Sequence, residues 1–241
     1  MSKHKKSKYN KLVSPSGKHI RLYTDCNKKL EMPRGEESIT EISNHIEKHI
    51  GKIAKVFHEV VSDTVHIDIY HVEPTLERPF HTLITSGMSN LCMKIAEEAD
   101  SPSYMELIAT LPKNWKVDEK SFEDEIWCWP VRTLLFLARF PHKNNSWLGW
   151  GHSIPNDYPP KPFAKNTDFN CILILNPITV HRDFLELKIN DNKVIHFFSL
   201  VPIYGEEMKL SLTIGTDVLL EKFDEYFVSD VIDIRRKNVA V

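Results

Sequence analysis

The run Asn170-Cys-Ile-Leu-Ile-Leu175 constrains the fold of this chain more than any other stretch. It is short, continuously apolar and bounded by Asn and, beyond it, Pro177, the pattern of a buried central strand. A second strand is marked by Val65-His-Ile-Asp-Ile-Tyr70, whose period-two alternation puts Val65, Ile67 and Ile69 on one face. Further strands are expected near 80–85, 104–111 and 194–202. Between them the apolar spacing turns helical. Ile42, Ile46, Ile50, Ile53 and Phe57 recur so that 40–60 reads as one amphipathic helix, opened by a capping box at Ser38-Ile-Thr-Glu41. A short helix fits 90–98, and 122–129 reads as an acidic, aromatic helical turn. Pro130 opens the next helix, where its missing N–H costs nothing, and Pro141 closes it. Helical spacing returns at Met208, Leu212, Leu219, Leu220, Phe223 and Phe227, interrupted by Gly215. Strands and helices mix irregularly, so the expected class is α+β: a mixed β-sheet flanked by helices, forming one domain over residues 38–241.

Residues 1–37 read as a basic N-terminal extension, with a turn at Pro15-Ser-Gly17 and an edge-strand alternation over 18–24. Residues 1–29 hold nine Lys/Arg and one acid, which leaves 22 basic and 32 acidic residues downstream, a body near −10 under an arm near +8. Such an arm is read as a solvated tail rather than a nucleic-acid contact. The four cysteines, Cys26, Cys92, Cys128 and Cys171, include no C-x-x-C pair, which argues against a zinc ribbon, a redox motif or a disulfide framework. No apolar segment follows the basic N-terminus as in a signal peptide, and no run approaches a membrane span. A soluble cytoplasmic protein with reduced thiols is expected.

Few residues offer catalysis. With eight glycines there is no dinucleotide fingerprint and no phosphate loop, and Trp150 between Gly149 and Gly151 would obstruct a close backbone approach. Ser89 and Ser153 lack the strained elbow of a nucleophile and read as turn serines. Two histidine groups come nearer to metal chemistry. His45 and His49 stand four apart on one helix face, and His66, Asp68 and His71 lie along a strand, yet neither spacing is specific enough to stand alone. A solvated strand face accounts for the second group equally well. No metal or cofactor is expected, and no catalytic residue.

The remaining oddity is the aromatic loop that follows Phe140. Within it, Trp147-Leu-Gly-Trp-Gly-His-Ser-Ile-Pro155 and Asn156-Asp-Tyr-Pro-Pro160 show neither helical nor strand periodicity. Rings of Trp and Tyr are costly in a loop unless they are buried or touch a partner. The candidate protein-binding residues are therefore Trp147, Trp150, His152, Asp157 and Tyr158, with Trp147 expected to serve the fold and the others to make contact.

This loop, with Pro159, Pro160 and Phe163, resembles the bacterial suppressor-of-fused domain family. Other blocks occur in the same order: His81-Thr-Leu-Ile-Thr-Ser-Gly-Met-Ser-Asn90; Glu106-Leu-Ile-Ala-Thr-Leu-Pro112 with Trp115; Trp129-Pro-Val-Arg132 running into Leu137-Ala-Arg-Phe-Pro141; and Pro202-Ile-Tyr-Gly-Glu-Glu-Met208 with Gly215, Leu219, Leu220 and Arg236-Lys-Asn238. The resemblance implies an α/β sandwich without enzymatic activity. Animal relatives clasp an extended peptide beside a sheet, and many bacterial ones look like immunity proteins that neutralise a secreted toxin. An aspartate just after the His-Ser segment lies in the animal peptide groove, and Asp157 is its nearest match here. The second domain of the animal proteins has no counterpart, so a two-domain clamp is not expected. The resulting expectation is a non-catalytic module that binds a protein, namely a cognate toxin. Two alternatives stay open: a metal-dependent enzyme using a His/Asp cluster, and a scaffold touching nucleic acid through the basic arm.

Overall fold

The computed structural model describes residues 38–58 and 65–241, together with the backbone of Leu12–Val13 (β1) and His19–Ile20 (β2), which pair antiparallel. The rest of the basic extension, including most of the alternating stretch at 18–24, lies outside the described residues. The longest strand, Lys193–Ile203 (β10), organises the main sheet. On one side it runs parallel to Tyr104–Pro112 (β6). On the other it is antiparallel first to Glu186–Asn190 (β9) and then to Cys171–Leu175 (β8), so these two strands share one edge of it. Beyond β6 follow Phe80–Ser86 (β5), Asp68–Val72 (β4) and Ile53–Phe57 (β3); beyond β8 comes Ser153–Pro155 (β7). The result is one mixed sheet of eight strands with helices on both faces.

One face is covered by a single helix of 19 residues, Glu125–Lys143 (α2). Trp129, Leu134, Leu137 and Ala138 from that helix meet Ile67, Ile69, Leu83, Leu107, Ile172, Ile174, Phe198 and Leu200 of the sheet. The opposite face carries two separate apolar clusters. Ile39–His49 (α1) packs Ile42 and Ile46 on Tyr70, Ile84, Ile108 and Phe197. Farther along, Leu219 and Phe223 of Thr216–Glu225 (α4) pack on Cys171, Leu173, Val201 and Ile203. Between these clusters lies a polar seam. Asp230 Oδ2 accepts the hydroxyls of Thr179 (2.9 Å) and Ser199 (3.1 Å), while Arg78 donates to Thr82 Oγ1 and to the carbonyls of Ile50 and Thr179. Past Ser199 the free side of β6 is taken up by the C-terminal chain, where Ile232 N–H donates to Thr110 O at 2.8 Å.

Several sequence expectations hold. The alternation through Val65, Ile67 and Ile69 faces the α2 core, and the helical pattern after Met208 splits into Gly205–Thr213 (α3) and α4 at Gly215, whose φ is +143°. Others are corrected. The helix expected over 40–60 ends at His49, and 53–57 is an edge strand. Gly51, at φ +149°, turns the chain out of the helix. A register shift between Ile53 and Lys55 then sends Ile53 and Val56 to one face and Phe57 to the other, which imitates helical spacing. Ser38 makes no side-chain cap; its hydroxyl accepts Lys193 Nζ at 2.9 Å, because a buried ammonium needs the acceptor more. No helix forms over 90–98: after a short turn at Met88–Asn90, Met93 and Lys94 donate to Ser103 O and Ser146 O, and a second turn closes with Ala99 N–H on Ala96 O.

The aromatic turn and the following helix prove to be one helix, capped by Asp124, whose Oδ1 accepts Ile126 N–H. Pro130 therefore sits inside α2 and leaves the Ile126 carbonyl without its usual donor. Asn166 Nδ2 supplies one at 3.3 Å. The strand at 171–175 is buried on both faces but is second from the sheet edge, covered there by β7.

Two buried carboxylates lock these elements. Glu106 on β6 accepts from Thr85 Oγ1, Gly87 N–H, Ser89 N–H and Ser89 Oγ at 2.6–3.0 Å, and complete burial pushes its pKa up. Gly87 is required there, since a Cβ would stand 2.1 Å from His66 O. Glu207 on α3 takes Arg236 bidentately at 2.6 Å on both oxygens and also accepts Tyr204 N–H and Val239 N–H. Replacing Glu207 with alanine leaves the Arg236 guanidinium without its partner and is expected to lower unfolding free energy by about 3–5 kcal/mol. Glu221→Ala, on the exposed side of α4, should stay within about 0.5 kcal/mol. Urea denaturation of both variants checks this, and equal midpoints would contradict it.

Candidate functional site

The aromatic loop follows the last turn of α2. Asn145, at φ +47°, redirects the chain, and Trp147 and Leu148 then enter the α2 core. Trp147 is 9 % exposed and Trp150 is 46 % exposed, so the two tryptophans face opposite environments. Gly149 lets the backbone pass under Ser101, because a Cβ would lie 2.5 Å from its Oγ. That glycine, with Gly151 at φ +76°, forms the sharp turn that throws Trp150 outward. Gly151 N–H donates to Ile174 O (2.7 Å), and Ile174 N–H donates to His152 O (2.9 Å), which starts the pairing of β7 with β8. The half-buried His152 ring lies 6.0 Å from that of Trp147.

After β7 a second turn is built around Asn156. Its N–H donates to Asn170 O, and its side-chain amide donates to the carbonyls of Lys161 and Pro162. This holds Asp157 at φ +77° with its carboxylate accepting Tyr158 N–H at 2.7 Å and Lys161 Nζ at 2.5 Å. Lys161 holds the Asp157 carboxyl below the ordinary carboxylate range. Tyr158 projects from the turn, 86 % exposed. Phe163 then returns to the core and stacks on Trp129 at 5.1 Å. The structure thus places Trp150 before the edge strand and Asp157 and Tyr158 after it, with His152 between them and Trp147 beneath.

The histidine groups are rearranged relative to expectation. His45 is buried between Phe184 and Phe197, with Nε2 on Phe184 O at 3.1 Å, and burial lowers its pKa. It serves packing rather than pairing with His49 as a ligand. The trio on β4 divides. His71 lies on the opposite face and bonds His81 Nδ1 at 2.9 Å; burial pushes its pKa down to about 4. His66 Nε2 and Asp68 Oδ1 are joined at 2.9 Å, and a residue not anticipated, His58, brings Nδ1 to the same oxygen at 3.0 Å. The solvated strand face is corrected for Asp68 and His71, which are buried, while His66 stays exposed. No described helix is long and apolar enough to cross a membrane.

The family model described as Suppressor of fused protein (SUFU) matches residues 63–237. Uncharacterized protein UU111 of Ureaplasma parvum serovar 3 is 25 % identical over 200 residues, covering 82 % of this chain and 92 % of its own length. Among solved structures, a SUFU homolog from Neisseria gonorrhoeae superposes with a TM-score of 0.61 at 21 % identity, over 83 % of this chain and 95 % of its own. The Sufu-Fu complex gives 0.59 at 14 % identity, over 85 % and 93 %. Drosophila Suppressor of Fused gives 0.57 at 15 %, over 86 % of this chain but 52 % of the fly protein. These likenesses establish the fold.

Trp147→Ala is expected to cost about 3–5 kcal/mol of stability, as for other buried large aromatics. Trp150→Ala should change it by no more than about 0.5 kcal/mol; matched thermal melts distinguish the two positions. Acid should act through the buried histidines. Above pH 6.5 His71 is neutral in both states and has no effect. As pH falls from 6.5 towards 4 the unfolded chain takes up a proton that the folded chain refuses, so stability is lost over that window, on the order of 3 kcal/mol at about 1.4 kcal/mol per pKa unit. His71→Gln should flatten the slope of unfolding free energy against pH by one proton; an unchanged slope would show that His71 does not titrate this way.

Proposed function

This chain belongs to the suppressor of fused protein family, and from that premise we propose that it is a non-catalytic protein-binding module that holds an extended segment of a partner along β7. The observation that carries this reading is the pair of exposed aromatics, Trp150 and Tyr158, at opposite ends of the last strand of the sheet. In an antiparallel ladder inward and outward backbone groups alternate. His152 O and Asn156 N–H bond towards β8, so Ser153 between them turns its N–H and C=O outward. Pro155 offers no N–H, which keeps this edge too short to pair indiscriminately. A partner must therefore be chosen by side chains, with Trp150 and Tyr158 as rigid anchors, Asp157 as the charge and His152 as the polar contact between them.

The partner that fits best is a basic toxin domain, with this chain as its immunity protein. The acidic balance downstream of residue 29, 32 acids against 22 bases, would speed encounter with a cationic partner by steering. Such a role places the chain in the cytoplasm, where Cys92, Cys128 and Cys171 remain thiols. It requires neither cofactor nor nucleic acid.

The test takes as candidate partner the protein domain encoded in the reading frame next to this gene. Trp150→Ala and Asp157→Asn, the latter keeping a residue that tolerates φ +77°, should each weaken binding ten-fold or more, about 1.4 kcal/mol, while the variants stay folded, and association of the wild type should slow as salt is added. Folded variants with unchanged affinity would remove the β7 rim as the site. Failure of the wild type to bind or neutralise the domain would remove the immunity reading.

A further inference from the structure

We propose that His58, His66 and Asp68 form a binding site for one divalent transition-metal ion of the zinc type at the end of the β3–β4 pair where the chain passes from one strand to the other. The argument begins with the placement of the three residues. His58 directly follows β3, His66 precedes β4 by two residues, and Asp68 opens β4, so antiparallel pairing brings them to one end of two neighbouring strands. Their ligand atoms, His58 Nδ1, His66 Nε2 and Asp68 Oδ1, all lie within 4.8 Å of one another. The two nitrogen-to-oxygen separations are 3.0 and 2.9 Å. A tetrahedral ion with bonds of about 2.0–2.1 Å holds its ligands about 3.3 Å apart, so adjustments of a few tenths of an ångström suffice.

The donor set decides the class of ion. Two imidazoles and one carboxylate suit zinc, cobalt, nickel or ferrous iron, whereas calcium and magnesium want a shell of oxygens. With the metal absent, both ring nitrogens aim at one carboxylate oxygen as N–H donors. With it bound, each ring moves its proton to the other nitrogen, an exchange of tautomers that leaves the imidazole neutral and balances without a co-reactant. Asp68 is held by the buried strand, its side chain 12 % exposed, while the rings of His58 and His66 are 70 % and 53 % exposed. The anchor is thus fixed, and the two exposed rings can close on an ion. Because its ligands come from the ends of two neighbouring strands, the ion acts as a clamp between β3 and β4.

The site lies at the opposite edge of the sheet from β7 and does not depend on the partner reading. The test is titration of the full-length, tag-free protein with Zn2+ against a chromogenic chelator, with Co2+ absorption as a geometric probe. One equivalent should bind, raise the melting temperature, and show the intense visible bands of a four-coordinate cobalt site. His58→Ala and His66→Ala alter exposed rings and should leave the metal-free melt unchanged, yet each should weaken zinc binding at least ten-fold and abolish the thermal shift. His181→Ala, at another exposed histidine beside an acid, should behave as wild type. Equal zinc binding by wild type, His58→Ala and His66→Ala would overturn the proposal, leaving scattered surface histidines as the source. So would an octahedral cobalt spectrum, or no binding at all.

Discussion

The bidentate pair between Arg236 and Glu207 ties together the end of the molecule on which the rim depends. Glu207 is fully buried, and four donors surround it: both guanidinium nitrogens, Tyr204 N–H and Val239 N–H. Arg236 in turn lies over the rings of Phe169, Tyr204 and Phe223 and donates to Pro202 O. One ion pair thus joins the end of β10, the start of α3, the body of α4, the C-terminal chain and the residue that leads into β8. Because β7 is held by β8, the aromatic rim inherits its position from this buried charge. Its desolvation is offset only while every donor stays in place.

Most of the fold was legible because apolar periodicity reports burial directly. The strands around Ile69, Leu83, Leu107, Leu173 and Leu200 carry side chains that are apolar towards a core, and all were expected. What misled was coincidence of period. Ile53 and Phe57 sit at helical spacing from Ile50, yet a one-residue register shift in an edge strand produces the same spacing. The long helix α2 was divided at Pro130 because a proline normally ends such a pattern. The group that repairs it, Asn166, is 40 residues away in sequence, and no local rule could supply it. The capping box at Ser38 failed for a similar reason, its hydroxyl being claimed by Lys193 across 155 residues.

The candidate site was read in part. The division between Trp147 in the core and Trp150 at the surface follows from the two glycines that turn the chain between them, and both were visible. The carboxylates that hold the frame were not singled out, since Glu106 and Glu207 look in sequence like any surface acid. Their donors come from turns and from the far end of the chain. His58 was hidden by the misread helix: placed on a helix with His45 and His49, it had no route to His66 and Asp68. Once 53–57 becomes a strand, the three meet at the hairpin end. The blocks that carry the family resemblance coincide largely with these internal frames, around Glu106, the Pro130 helix and Glu207, rather than with exposed positions.

The sharing of one edge of β10 by β9 and β8 divides the sheet in a way that bears on how such a chain diversifies. From Leu200 onward β10 pairs only with β8, while the neighbouring stretch of β6 turns to the C-terminal chain at Thr110. The outer half of β10, β8 and β7 therefore form a three-stranded blade hinged on the middle of one long strand. A blade of that kind can be reshaped at its tip, by altering the turns on either side of 153–155, without asking the β3–β6 body to repack. The rim is in effect a bit mounted in a rigid chuck, and its outline is set by the turns at the tip alone.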